Sequence, residues 1–264
     1  MNGSNKKVPG ANKLTAITRN VSDEIRRCAL TFFDRKPIDS SLATAQHQHY
    51  KQSLTELGVQ VIALPALPDF PDGVFVEDTA VVADEIAVIT TMGVSSRKGE
   101  QETVAARLAD FRTIVRLEPP AALEGGDVMR IGRTLYAGLS TRTNKEAVYS
   151  LQRILAPYDY KIVPVAMDNC LHLKTGCTFV GRNSILINTD CISAKEFHDF
   201  ELIELPKEEP WAGNSLLIKD TLLYSSAFPR TQQLLEKKGI QVKTIDIGEL
   251  QKAEAGLTCM SIIF

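Results

Sequence analysis

The sequence predicts an α/β protein of five like ββαβ units closed into a ring. Three observations predict it. First, a reactive or polar residue recurs just ahead of a short apolar hairpin: Asp78, Glu124, His172, Asn214 and Cys259 stand 46, 48, 42 and 45 residues apart. A fixed period of this size marks a repeat architecture. Second, each hairpin is followed by a helical pattern and then by one more strand. Third, the last unit has half a hairpin, 260–264, while an unpaired strand, 14–19, stands at the other end. Pairing the two ends completes the fifth unit.

The elements follow in order. Strand 14–19 ends on Arg19, and Ser22 caps a helix after it. Asp39 caps a longer helix whose apolar face reads Leu42, Ala45, Tyr50, Leu54 and Leu57, with Gly58 as its stop. Strand 59–64 completes the unit that the two ends share. Pro65, Pro68 and Pro71 stiffen the next loop, which carries Asp69 and Asp72. The Asp78 hairpin leads to helix 97–111, with Val104, Leu108 and Phe111 inward, and to strand 113–117. The Glu124 hairpin turns at Gly132-Arg133 and leads to helix 144–156 and strand 161–165. The His172 hairpin leads to a short helix, 193–200, and strand 201–205. The Asn214 hairpin leads to helix 230–239, which Gly239 ends, and to strand 240–245. A short polar turn or helix then reaches Cys259. Each unit is too small to bury its own apolar face, so the units must pack on one another. In a closed ring, every unit head points to one centre.

Composition narrows the function classes. The chain has 264 residues, of which 44% are hydrophobic and 23% charged, ample for a soluble core. Net charge is -2 with no basic block, which argues against nucleic acid or a membrane surface as partner. No apolar run approaches the ~18 residues of a membrane span. Residues 1–13 are polar, without the apolar core of a signal peptide, and read as a flexible tail before one catalytic domain, 14–264. The five cysteines are odd in number and form no CxxC pair, so neither a disulfide framework nor a structural zinc site is expected; a reducing cytoplasm fits.

Cysteine, histidine and carboxylates at one repeat position point to nucleophilic catalysis, with the thiolate as the reactive form and the imidazole moving protons. Taken singly, Cys259 reads equally as a small core hydrophobe, His172 as a structural histidine, and Asp78 and Glu124 as turn caps. The shared position favours chemistry. Arg97 and Arg142 return to the same mouth, and their planar forks suit a substrate carboxylate. Arg19 and Arg230 occupy similar places and stay divided between structure and function. Metal binding competes for the same residue types, but its short-range spacing is absent, so no metal and no cofactor are expected. Gly125-Gly126 is no dinucleotide fingerprint. It is read as letting a substrate approach the backbone.

The motifs Phe75-Val76-Glu77-Asp78-Thr79-Ala80, Glu124-Gly125-Gly126-Asp127-Val128, Leu139-Ser140-Thr141-Arg142-Thr143-Asn144, Leu171-His172-Leu173-Lys174 and Gly256-Leu257-Thr258-Cys259 resemble the dimethylarginine dimethylaminohydrolases. These belong to the guanidine-modifying superfamily, whose fold is the five-bladed α/β-propeller, or pentein. The resemblance implies hydrolysis of Nω-methylated L-arginine to L-citrulline and a methylamine through a covalent thiouronium. It implies Cys259 as nucleophile, His172 as general acid and base, and Glu124 and Asp78 holding the guanidinium, with Glu77 also in the substrate-binding set. It implies Arg97 and Arg142 on the α-carboxylate and Asp72 on the α-amino group. Lys174 stands where arginine and agmatine deiminases carry an aspartate, which leaves room for alkyl groups. The substrate-covering loop of the family falls near Asn20 and Val21. The partner expected is a small molecule, and the protein itself a monomer or homodimer. The competing readings are a sister enzyme on free arginine, agmatine or citrulline, an amidinotransferase, and a binding protein of the same fold.

Overall fold

The computed structural model describes residues 14–264, and the expected tail at 1–13 lies outside the described residues. Its strands form five three-stranded sheets, each an antiparallel pair extended by a parallel strand. Strand β1 (Thr15–Arg19) leads through α1 (Ser40–Glu56) to β2 (Gln60–Leu64), which pairs parallel to it. The first blade has β3 (Ala80–Val82), β4 (Ile86–Ile89), α2 (Gln101–Leu108) and β5 (Thr113–Arg116). The second has β6 (Val128–Ile131), β7 (Thr134–Leu139), α3 (Lys145–Leu155) and β8 (Lys161–Ala166). The third opens with a helical turn, α4 (Leu173–Gly176), before β9 (Cys177–Gly181), β10 (Ser184–Ile187) and β11 (Glu201–Glu204). The fourth has β12 (Leu216–Ile218), β13 (Thr221–Ser225), α5 (Pro229–Lys237) and β14 (Gln241–Ile245), followed by α6 (Gly248–Gln251) and β15 (Ile262–Ile263).

Strand β15 pairs antiparallel with β1, Ala16 opposite Ile263, and the fifth blade is thereby built from both chain ends. Thr15 and Phe264 exchange backbone hydrogen bonds of 2.8 and 2.9 Å. The expected closure is thus observed. Innermost strands β3, β6, β9, β12 and β15 surround a channel of about 380 Å³.

Apolar side chains gather where neighbouring blades meet, as units too small to fold alone require. Val81 and Val88 of the first blade pack with Leu135, Val148 and Leu151 of the second. Met129 and Val165 of the second meet Ile185 and Phe197 of the third. Val180 and Leu186 meet Leu222 and Leu235 of the fourth. Leu223 and Ile245 meet Ala16, Tyr50 and Leu54 of the fifth. Ile17 and Ile262 of the fifth return to Ala87, Ile89 and Leu108 of the first. Removing a large apolar side chain from such a seam costs about 2–5 kcal/mol. Among the described residues, no helix is long and apolar enough to cross a membrane.

Several elements differ from expectation. Helix 97–111 shrinks to α2, because Gly99 at φ +110° interrupts it and Arg97 lies in a separate turn, Ser95–Arg97. Phe111 is 38% exposed and edges onto the Phe264 ring instead of entering the core. The helices at Ser22 and at 193–200 are single turns, Asp23–Arg27 and Lys195–Phe197. Asp39 does cap α1, accepting from Leu42 N, but Leu42 is 46% exposed. The buried face of α1 is Ala43, Gln46, His47, Tyr50, Ser53 and Leu54, since Gln46 bonds Asp246 and Glu249 N and Tyr50 bonds Ser261.

Candidate active site

Helical turns placed ahead of the inner strands carry the site. Val76–Thr79 precedes β3, Gly125–Asp127 precedes β6, α4 follows His172, and Thr258–Met260 precedes β15. A turn at a strand's entry aims its side chains along the ring axis rather than at the sheet faces. Seven of the eight residues expected from the sequence, namely Asp72, Asp78, Arg97, Glu124, Arg142, His172 and Cys259, line one cavity of about 30 Å³. Phe75 and Leu171 add apolar wall.

Glu77 is the exception. Its carboxylate turns from this cavity to the channel, where it meets Lys174 Nζ at 2.6 Å and accepts from Thr258 Oγ1 at 2.7 Å. Neighbouring residues on a turn project apart, so Asp78 and Glu77 cannot both face the cavity. Lys174 is likewise outside it.

His172 is held among acids. Its Nε2 lies 2.8 Å from Glu124 Oε2 and its Nδ1 3.9 Å from Asp78 Oδ1. Burial alone would lower its pKa, but Asp78, Asp127 and Glu124 outweigh that and raise it to about 9. The ring is therefore an imidazolium at neutral pH. The donor atoms of Asp78, Glu124 and His172 lie within 4.8 Å of one another, close enough to hold a metal ion. The imidazolium itself is the cation those acids surround. Its backbone is fixed from both sides, because Cys170 Sγ donates to His172 O at 3.3 Å and Leu173 N donates to Asp127 Oδ1 at 3.0 Å.

Asp78 accepts from Arg97 Nη1 at 2.6 Å and from Gly126 N at 3.0 Å. Burial would raise its pKa, yet His172 and Arg97 hold the carboxyl below the usual range. Arg97 also binds Glu100 through Nε and Nη2 and the Phe75 carbonyl through Nη2, so its fork is largely committed. Arg142 lies 3.6 Å from Glu124 Oε1 and donates to Thr31 Oγ1 at 2.9 Å. Asp72 accepts from Ala29 N at 3.1 Å, and burial raises its pKa.

Cys259 is half-buried, and its Sγ accepts from Gly256 N at 3.3 Å. Burial, then the Glu77 and Asp78 carboxylates, push the thiol up to about 12. The raised value keeps the thiol in its neutral form at physiological pH.

The glycine pair has another role than expected. A Cβ on Gly126 would lie 2.6 Å from His172 Nδ1, and one on Gly125 would lie 2.1 Å from Glu77 O. The glycines let blades approach each other, rather than a substrate approach the chain. The expected cover is also displaced. Val21 is buried in the core and Asn20 N bonds Leu64 O, while Ala29 forms part of the cavity wall.

Three contributors escaped the sequence reading. Asp127 was passed over between two glycines and a strand, although a buried acid opening an apolar run is itself a signal. Asn214 was noted as a unit head without chemistry. It binds Thr258 N at 3.1 Å and Thr258 Oγ1 at 3.0 Å, fixing the turn that carries Cys259. Glu254 had no sequence signal, since its partners are backbone groups.

Comparison with known proteins gives consistent matches. The family model described as "N,N dimethylarginine dimethylhydrolase, eukaryotic" matches residues 20–263. A protein of Pseudomonas aeruginosa named N(G),N(G)-dimethylarginine dimethylaminohydrolase is 34% identical over 228 residues, covering 86% of this chain and 90% of that protein. One of the same name from Streptomyces coelicolor is 32% identical over 248 residues, covering 94% and 95%. The solved structure of a P. aeruginosa variant complexed with citrulline superposes with a TM-score of 0.90 at 32% identity, covering 95% of this chain and 98% of that one. The N-terminal domain of a cyanobacterial arginine dihydrolase shares the fold, at a TM-score of 0.86 and 17% identity, covering 96% and 97%.

Proposed function

We propose an Nω-methyl-L-arginine hydrolase, from the premise that this chain belongs to the dimethylarginine dimethylaminohydrolase family. It converts the methylated arginine to L-citrulline and methylamine or dimethylamine. The observation that carries the reading is the meeting of Cys259, an imidazolium at His172 and the acids Asp78 and Glu124 in one cavity. A relative's complex with citrulline and a dimethylarginine dimethylaminohydrolase adduct with S-methyl-L-thiocitrulline support it.

In this reading Asp78 and Glu124 orient the planar guanidinium and leave one face open to sulfur. Such positioning supplies much of a rate enhancement. Asp72 takes the α-amino group. Arg142 takes the α-carboxylate with its fork, while Arg97 chiefly keeps Asp78 ionised. The bound cation lowers the pKa of the Cys259 thiol, which loses its proton to solvent. The thiolate adds to the guanidinium carbon. His172 then protonates the departing dimethylamine nitrogen, and the C–N bond breaks to leave an S-alkylthiouronium. Neutral His172 next takes a proton from water. The hydroxide adds at the same carbon, the C–S bond breaks, the departing sulfur takes the hydroxyl proton to restore the thiol, and citrulline is released. Proton transfers of this kind are worth ~10²–10⁴-fold.

Lys174 turns away to Glu77 in the channel, so residue 174 brings no third acid to the alkylated nitrogen. The catalytic domain spans 14–264, acts as monomer or homodimer on a small molecule without nucleic acid, and works in the cytoplasm, where its five free cysteines stay reduced. The test is incubation with asymmetric dimethylarginine, monomethylarginine, arginine and agmatine in separate reactions, with citrulline or the matching ureide assayed. Citrulline from the methylated substrates is expected. Turnover of agmatine alone, or none at all, would overturn the reading.

A further inference from the structure

A cavity of about 30 Å³ holds about one or two waters. An amino acid therefore enters only if the cover moves. That cover is segment 29–33. Ala29 N–H donates to Asp72 at 3.1 and 3.2 Å, and Thr31 Oγ1 accepts from Arg142 at 2.9 Å. The segment thus sits on the two residues assigned above to the amino-acid end of the substrate.

One side chain fastens it. The carboxylate of Glu254 accepts from the N–H of Thr31 at 3.0 Å, of Phe32 at 2.6 Å and of Phe33 at 2.6 Å. Three successive amides aimed at one anion form an anion-binding nest, with the charge strengthening each bond. Phe33 adds an edge contact to Trp211, with ring centroids 5.0 Å apart. Glu254 itself has φ +60°, a conformation uncommon for a residue with a side chain and often kept for function. Two residues later, Gly256 N–H donates to Cys259 Sγ. A single acid therefore joins the cover to the loop carrying the thiol.

We propose that Glu254 is the positioning residue of this cover, latching segment 31–33 closed over the bound amino acid and so setting its affinity. The cover touches the groups that read the amino-acid end, not the reacting carbon. Loss of the latch accordingly appears mainly in KM. The substrate's identity rests on the reading above, but the latch does not.

The test uses Glu254→Ala, with Glu254→Gln as the variant of equal size that keeps one acceptor and turns an amide toward the three donors. Three measurements are made on each: hydrogen exchange at the amides of Thr31, Phe32 and Phe33, the rate of Cys259 alkylation by iodoacetamide, and steady-state kinetics on asymmetric dimethylarginine. We expect exchange and KM to rise by about tenfold, alkylation to quicken, and kcat to fall by less than KM rises. Wild-type exchange and KM in both variants would overturn the latch. So would slower alkylation with reduced kcat at unchanged KM, because Glu254 would then serve the thiol loop alone. If the wild-type protein does not turn over methylated arginine, the functional reading fails, while exchange and alkylation still decide the latch.

Discussion

Oε2 of Glu124 lies 2.8 Å from Nε2 of His172, with both side chains almost wholly out of water. One residue comes from the second blade and the other from the third, so the closed ring creates the pair. A charge-assisted bond of this kind is roughly twice as strong as a neutral one. It fixes the imidazole ring and favours its protonated form. The other oxygen of Glu124 accepts from Gly93 N at 3.0 Å, which fixes the carboxylate in turn.

Replacing Glu124 with Gln keeps the shape and removes the charge. The His172 pKa is expected to fall from about 9 toward its ordinary value, because one of three supporting acids is lost. Turnover is expected to drop at least ~100-fold, since the proton carrier is no longer held and charged. An NMR titration of the imidazole checks the first effect and citrulline release the second. An unmoved titration would separate the two residues.

The raised pKa of His172 also makes stability depend on pH. Its folded value, about 9, lies above the ordinary 6.5, so the folded state binds the proton more tightly. The stabilisation is fully present below ~6.5 and is lost as pH rises through ~9, by up to about 3 kcal/mol. Urea unfolding at pH 6 and pH 10 should show this difference for the wild type and a much smaller one for His172→Gln. Turnover should fall over the same upper limb as the acid is lost. Free Cys259, pushed up to about 12, should gain alkylation rate with no plateau below ~pH 10.

The path of the chain was readable because the unit heads recur. The period brought Asp78, Glu124, His172 and Cys259 to one centre, and the half-hairpin 260–264 called for strand 14–19 as its partner, which the structure realises with Ala16 opposite Ile263. Directions within a turn were not readable. Glu77 and Asp78 are adjacent acids in one motif, and three-dimensional packing decides that one meets Lys174 and the other Arg97. The cover was illegible for a different reason. Segment 31–33 is held through backbone N–H groups, which every residue but proline carries, so no pattern marks it. The sequence places Arg97 at the site mouth on the first turn of a helix with its fork free for a carboxylate, yet it is 5% exposed in a separate turn, because Gly99 delays the helix start and Glu100 and Asp78 take up the charge.

The Glu77–Lys174 pair closes the inner end of the channel, with side chains 11% and 14% exposed. Removing one partner strands a buried charge, at a cost of about 3–5 kcal/mol. Lys174→Met should therefore lower the urea midpoint strongly, and the double variant Lys174→Met with Glu77→Gln should recover most of it. A double-mutant cycle measures the coupling. Additive losses would show that the two charges are independently solvated.

Gly256 fixes where the thiol stands. A Cβ there would lie 2.2 Å from Cγ and 2.4 Å from Oδ1 of Asn214. Asn214 is buried and cannot swing aside without releasing Thr258 N, Thr258 Oγ1 and the Lys174 carbonyl at 2.8 Å. In Gly256→Ala, either those bonds break or the 256–259 turn shifts, and both move Cys259. A misplacement of about 1 Å can cost ~100-fold in rate, so kcat should collapse before the fold does. Asn214→Ala alone should lose the bonds to Thr258 and slow turnover less steeply, because no atom then forces the turn outward. The double variant sheds the contacts with Cγ and Oδ1 but leaves the Cβ of residue 214 2.7 Å from the new methyl group, so only part of the clash is relieved and its kcat should stay at or above that of Gly256→Ala. Kinetics on the four proteins, with thermal melts as control, give the coupling directly. If Gly256→Ala turns over at the wild-type rate, the Asn214 clamp does not position the nucleophile.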